Sequence, residues 1–433
     1  MAGKISAPAD PTNAPDHPRL PRTKLMMAWW AVCSAIFYIV VAAAMARAYG
    51  TVNALIGVVL SVLCYTLVNR VLCRYAIASG LDVARFSQRL FGALGAPLAT
   101  LIFFATALYY AVFEGHVMAL ALTAWSDGAL PMPVSAVLVT LLGIVLIGGG
   151  VQRWLDKFNG VLLPIYVVGM VAAVAVAFIV YGYPQGWLTR EPAGGASNWG
   201  WLNTFAFYMG VWVLMMFTFD YARFGREEDA DFHAKVTFGL PFYLMTFLFS
   251  AIIGILLDAT LPNEGISEAS LVTGLLELMG GWGLLLVWVT QSRINTANFY
   301  LAASNLDHLI GGAQRRWSKP VSILLVGILA YLLMLSDVFA YLLQALAYQG
   351  VFVVAWVGVA IAWLISPSRG MPAPSVTPRL ERSGLIAWLG ATAIGIALMY
   401  AGPLAVLSAP LTFVSALLLH TAATLFFPHR VAI

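Results

Sequence analysis

The sequence predicts an all-α integral membrane protein that crosses the bilayer twelve times. Three observations carry this reading. The 433 residues are 61% hydrophobic and only 10% charged, where a soluble chain carries about 25% charged residues. Apolar stretches close to the roughly 20 residues that a bilayer core demands recur along almost the whole chain. The basic residues also alternate sides. With the N-terminus inside, all 23 Lys and Arg residues except Arg47, Arg190 and Arg293 fall in inner loops or tails. That asymmetry is expected of a cytoplasmic (inner) membrane protein with both termini cytoplasmic. The net charge of +4 is scattered over short loops, which gives nucleic acid no basic patch to bind.

Each element follows from these rules in order. Residues 1–25 are polar and Pro-rich and read as a disordered cytoplasmic tail. Spans are expected at 26–46 and 53–73, and then a cytoplasmic amphipathic segment at 75–96 that carries Arg85 and Arg89. Further spans follow at 97–124, 134–150, 160–181, 201–220 and 237–257. An interfacial helix at 266–278 on the outer side precedes the span 279–305, and spans at 320–336 and 338–365 complete a ten-helix unit, 26–365. Residues 366–383 read as a cytoplasmic linker, 384–403 and 408–427 as two peripheral spans, and 428–433 as a cytoplasmic C-terminus. The Gly runs at 147–150 and 280–283 suit close helix packing or helix ends.

Two charges sit where a membrane helix should have none. Glu114 lies near the middle of the third span and Arg293 near the middle of the eighth. Either would cost several kcal/mol facing lipid alone, so the sequence predicts that both face one polar cavity, paired with each other or with a ligand. Tyr110 is one turn before Glu114 and so shares its helix face, which places an aromatic ring beside a carboxylate. In the run "VWVTQSRINTANFYLAASN", Ser292, Asn295 and Asn298 form a second polar stripe whose amides can both donate and accept. At the inner end of span six, Asp220 and Arg223 are one turn apart and read as a salt-bridged helix end. Cys33, Cys64 and Cys73 have neither pairing nor metal-ligand spacing. With no phosphate loop, nucleophile elbow or zinc motif, the sequence points to no metal, no cofactor and no enzyme.

Three motifs resemble those of the nucleobase–cation symporter family of cytosine, purine and hydantoin permeases. Asp220-Tyr-Ala-Arg-Phe-Gly225 resembles the family's "D-F-x-R-F-G" at the end of helix six. Asn295-Thr-Ala-Asn298-Phe-Tyr300 resembles its "N-x-x-N-x-Y" in helix eight, and Arg89-Leu-Phe-Gly92 its "R-x-x-F-G" ahead of helix three. The resemblance implies a five-plus-five inverted-repeat (LeuT-like) transporter core with two additional C-terminal helices, and substrate at the midplane between helices one, three, six, eight and ten. It also implies roles: Tyr110 stacks on a flat substrate, Glu114 bonds it, Asn298 and Asn295 bind its edge, and Trp212 is the helix-six aromatic.

Two departures shape the expected mechanism. Sodium-coupled members hold the ion between helix one and paired hydroxyls of helix eight. Here Ser292 keeps the first hydroxyl, but Arg293 stands where the second belongs. A guanidinium there repels Na⁺ and can occupy its place, so the resemblance implies a permease that is not Na⁺-coupled. Burial favours the neutral carboxyl at Glu114, which offers a proton a route with substrate; proton symport, facilitated diffusion and exchange stay open. The second departure is that helix one has no Gly between Ala28 and Ala48, where a broken helix would be expected. The expected partners are therefore a small heterocyclic substrate, protons and the lipid bilayer. A carrier of a small amine or amino acid on the same fold, its two ends held by Glu114 and Arg293, is the alternative. A non-transporting membrane sensor or complex subunit is the alternative from another class.

Overall fold

A computed structural model describes residues 19–148, 151–192, 195, 198–262, 265, 267–311, 319–336, 342–366 and 378–426. The rest of the expected tail (1–18), most of the linker (367–377) and the expected C-terminus (428–433) lie outside the described residues. The chain is helical almost throughout. The first helices are α1 (Arg22–Trp29), α2 (Ile36–Tyr49), α3 (Thr51–Ser79), α4 (Val83–Trp125), α5 (Met132–Gly148) and α6 (Val151–Tyr181). Next come α7 (Gly200–Met209) and α8 (Val213–Ala222), then the short α9 (Ala230–Phe232) and α10 (Leu240–Tyr243), which π-helical turns join to α11 (Ser250–Thr260). The last are α12 (Glu268–Met279), α13 (Gly281–Gly311), α14 (Lys319–Met334), α15 (Leu342–Ile365), α16 (Arg382–Met399) and α17 (Ser408–Phe426).

Among the described residues, eight helices are long and apolar enough to cross a bilayer, and nine if the bent pair α1–α2 is one span. The shorter apolar α5 and α14 and the polar-cored α13 fill the remaining places in the twelve-span reading. The interfacial helix expected at 266–278 is α12, opened by a Ser267 capping box.

Two spans are broken, and the breaks define the centre of the molecule. α1 ends in a tight 3₁₀ turn at Trp30–Ser34 and an extended Ala35, and α2 restarts at an angle of 45°. The Gly-free sequence gave no sign of this break. Ala35 holds φ −60°, ψ 129°, an extended conformation open to any L-residue, so glycine is not required. The second interruption, at Gly210–Trp212 between α7 and α8, keeps right-handed helical angles at Gly210 and Trp212. A Cβ on Gly350 of α15 would lie 2.9 Å from the Gly210 Cα, so the glycine at 350 lets α15 touch this backbone. Helices one and six, the first of each expected five-helix repeat, are thus both interrupted.

The ends of the bundle are tied by charge. At the end assigned to the outside, Arg47 and Arg190, the two outer cations, share the buried Asp258 at 2.8 and 3.1 Å. At the other end, residues 19–25 are not the disordered tail the composition suggests. Leu20 N–H donates to Phe224 O at 2.7 Å, Arg19 donates to the carbonyls of Ile77, Arg223 and Gly225, and Arg22 pairs with Asp229.

α4 bends sharply at Gly92, which separates an amphipathic turn-in helix, 83–91, from the membrane-crossing part. Gly92 has φ 77°, a region that L side chains avoid. A Cβ there would also lie 2.7 Å from Pro378 O. Residues 378–381 dock on the bend through Ala93 N–H to Pro378 O, Leu94 N–H to Arg379 O and Glu381 N–H to Phe91 O, at 2.9–3.1 Å. Gly92→Ala therefore combines backbone strain with a collision. It is expected to cost upwards of about 1 kcal/mol, seen as a lowered unfolding midpoint of the purified protein.

Candidate functional site

The polar run of α13 lies buried inside the bundle, packed along α4 and against the helix-one break. A broken helix leaves backbone groups that lipid cannot satisfy, and α13 supplies their partners. Ile36, the first residue of α2, donates its N–H to Gln291 Oε1 at 3.2 Å. Ser34 Oγ donates to Thr290 O at 2.9 Å. Arg293 Nη2 donates to Trp30 O at 2.8 Å, and its guanidinium lies 5.8 Å from the ring centre of Tyr166 on α6.

The expected Glu114–Arg293 pair is not formed. The Glu114 carboxylate accepts instead from Gln291 Nε2. Helical geometry gives the reason. Two residues on an α-helix are roughly 200° apart around the axis, so Gln291 and Arg293 leave α13 on opposite sides. Glu114 on α4 meets the Gln291 side, and the break carbonyl of Trp30 with Tyr166 meets the Arg293 side. Both groups are fully buried, at 1% and 0% exposure, yet each has its own surroundings.

The Gln291 side holds most of the predicted site. Gln291, Asn295 and Asn298 follow i, i+4, i+7 and so form one stripe. Asn295 reaches α4 beside Glu114: its Nδ2 lies 3.5 Å from where a Cβ on Gly115 would be. Asn295 Oδ1 and Asn298 Nδ2 are buried with no hydrogen-bond partner in the protein. Tyr110 is 8% exposed, with Phe37 of α2 edge-on at 6.0 Å. Phe37 also meets Phe113 at 6.1 Å. A carboxylate, amide edges and an aromatic wall therefore converge beside the break.

Other expected residues are placed differently. Ser292 makes only a 3.5 Å contact to the carbonyl of Val289 in its own helix. Trp212 lies at the helix-six break, but its ring partners are Tyr65 and Phe413 rather than Tyr110, and its indole N–H is unpartnered. Asp220 and Arg223 do not bond each other. Both turn to the start of α4: Arg223 Nη1 pairs with Asp82 Oδ2 at 2.8 Å, and Asp220 Oδ1 accepts from Val83 N–H at 3.4 Å. His308, near the end of α13, reaches the same Asp82 oxygen at 3.4 Å.

Sequence reasoning missed four residues. Gln291 was detectable four residues before Asn295, on the same face. Gln349 of α15 has both amide atoms buried and unpartnered, next to the Gly350–Gly210 contact; a lone amide in an apolar span was the signal. Asp82 and His308 are 226 positions apart in the chain and no local pattern joins them. No metal-holding group of His, Cys, Asp and Glu occurs among the described residues.

No protein-family model matches the chain, and no curated protein sequence does. Solved structures do match. The inward-facing conformation of Mhp1 aligns with TM-score 0.77 at 16% identity, over 98% of this chain and 95% of that one. A closed conformation of Mhp1, a nucleobase-cation-symport-1 family transporter with bromovinylhydantoin bound, aligns with TM-score 0.75 at 15% identity, over 96% and 95%. MhsT in complex with L-phenylalanine aligns with TM-score 0.62 at 14% identity, over 94% and 99%. The fold is therefore that of these transporters, an all-α membrane architecture shared along almost the full chain.

Proposed function

We propose that the chain is a permease of the cytoplasmic membrane for a nucleobase or related planar nitrogen heterocycle, working by alternating access, in which Arg293 replaces a coupling sodium ion. The observation that carries this reading is the cluster of buried polar side chains where α4 and α13 meet the break in helix one. Unwound backbone at membrane depth is tolerated only where protein or an aqueous cavity surrounds it, and in transporters it marks the substrate and ion sites. Tyr110 offers a ring face, and the Asn295 and Asn298 amides offer the paired donors and acceptors that a heterocycle edge needs.

The coupling part rests on Arg293. Its guanidinium donates to a helix-one carbonyl from helix eight, so a permanent positive charge already holds the two helices together there. A second cation would meet direct repulsion. The alternative of a zwitterion clamped between Glu114 and Arg293 loses its premise, because these groups leave α13 and α4 for different surroundings. The sensor alternative drew its weight from an unbroken first helix, and that helix is broken.

Reconstituted into proteoliposomes, the full chain is expected to take up labelled heterocycle at the same rate with and without an inward Na⁺ gradient, at fixed pH and voltage. A steep rise with Na⁺ would sink the surrogate role of Arg293. Failure of every planar heterocycle to compete for uptake, with competition by amino acids instead, would sink the substrate class.

A further inference from the structure

We infer that Glu114 selects for charge, so that the substrate is the protonated, cationic form of a planar nitrogen heterocycle, such as an aminopyridinium, rather than a neutral base. This rests on the permease reading above and narrows its substrate class. Glu114 is 1% exposed and its bonded partner is the neutral amide of Gln291. Among the described residues, no Lys, Arg or His lies within ion-pair distance of it, and the nearby Arg293 is engaged by the Trp30 carbonyl on the other side of α13. A carboxylate can accept about four hydrogen bonds. An ionised carboxyl buried this deeply is costly without a counter-cation, so ionisation of Glu114 and binding of a cation would go together.

The surroundings suit a delocalised cation. Tyr110 shares the Glu114 face one turn away, and Phe37 stands edge-on to it. Aromatic faces attract cations, and more strongly when both are desolvated. Asn295 Oδ1, buried without a partner, adds an acceptor for a second N–H.

The inference joins the fixed charge at Arg293 to an energy source. A carrier whose cation site is filled permanently needs no coupling ion if its substrate carries the charge. An inside-negative potential alone then drives accumulation of a monovalent cation, by about 50-fold per 100 mV.

The test uses the purified full chain in proteoliposomes with two probes of matched size: 4-aminopyridine, protonated at neutral pH, and 2-aminopyrimidine, uncharged. The wild type is expected to bind 4-aminopyridine roughly tenfold or more tighter, and a K⁺-diffusion potential, inside negative, to drive its accumulation. Glu114→Gln should lose the preference and Glu114→Asp should keep its sign. Tighter binding of 2-aminopyrimidine by the wild type, or its uptake together with protons, would overturn the inference while leaving the permease reading intact. Binding of neither planar probe, with binding of aliphatic amines or amino acids, would overturn both. The wild-type comparison decides the matter even if the variants do not fold.

Discussion

Arg293→Ala is expected to lower transport by about 10–100-fold while the protein still folds, and Arg293→Lys to retain much of the activity. The size follows from the contact that is lost. Arg293 Nη2 donates to Trp30 O at the break in helix one, and a hydrogen bond from a charged group contributes about 1.5–3 kcal/mol. Each 1.4 kcal/mol is tenfold in an equilibrium. The loss falls on one of three hydrogen bonds that join helix eight to the unwound turn, the one made by a charged group, so it shifts the balance between open states more than it unfolds the bundle. Lysine keeps a point charge but gives up the fork and the stacking toward Tyr166. Arg293→Ser is the sharper variant. It places a second hydroxyl beside Ser292 and removes the fixed charge, so activity is expected to fall in the absence of Na⁺ and to recover as Na⁺ rises. Initial uptake rates in proteoliposomes across a Na⁺ series read both effects. Wild-type rates for Arg293→Ala would show that the guanidinium is incidental to transport.

How much of this was legible beforehand divides along the range of the interactions. The membrane architecture was legible, because hydropathy and basic-residue asymmetry are local and every span reports them. The Tyr110–Glu114 face and the Asn295–Asn298 part of the α13 stripe follow from 3.6-residue periodicity, but Gln291 rather than Ser292 meets α4. The pairing of Glu114 with Arg293 is not formed, and the error is instructive. Depth in the bilayer can be counted along a helix, but azimuth needs the neighbouring helices, and Gln291 rather than Arg293 faces α4. The break in helix one was missed because glycine was treated as its necessary sign. Trp30–Ala35 breaks with ordinary backbone angles, because Arg293, Gln291 and the backbone of Thr290 satisfy what the break exposes. Asp82 illustrates the hardest case: its local bond is that of the α4 N-cap, accepting from Arg85 N–H at 2.8 Å, while its distant ionic partners come from the end of α8 and from α13.

That Asp82 junction supports the second large prediction: Asp82→Asn is expected to destabilise the junction at the end assigned to the cytoplasm by about 3–5 kcal/mol, the usual effect of removing one partner from a buried ion pair. Asparagine keeps the cap on α4 but leaves the Arg223 guanidinium, 9% exposed, without its carboxylate. The same junction should respond to pH through His308. Burial pushes the imidazole down, but the Asp82 carboxylate 3.4 Å away, aided by Asp220, holds it above its ordinary value despite the opposing Arg223. Burial pushes Asp82 up, and His308 and Arg223 together hold it well below the usual carboxylate range. The signs then follow. A raised histidine contributes fully below its unperturbed pKa of about 6.5 and loses that contribution as pH climbs through the raised value. The depressed Asp82 contributes above about pH 4 and fails only at far lower pH. From mildly acidic to mildly alkaline pH, His308 is therefore the group that changes, and alkalinity on its side should loosen the junction that joins α4, α8 and α13. The protection factor for hydrogen exchange at the start of α4, taken relative to the intrinsic base-catalysed rate, is expected to fall as pH rises in the wild type. In His308→Gln it should be flat, and in Asp82→Asn low at every pH. A fall in protection that persists in His308→Gln would assign the titration to another group and remove the histidine from the junction.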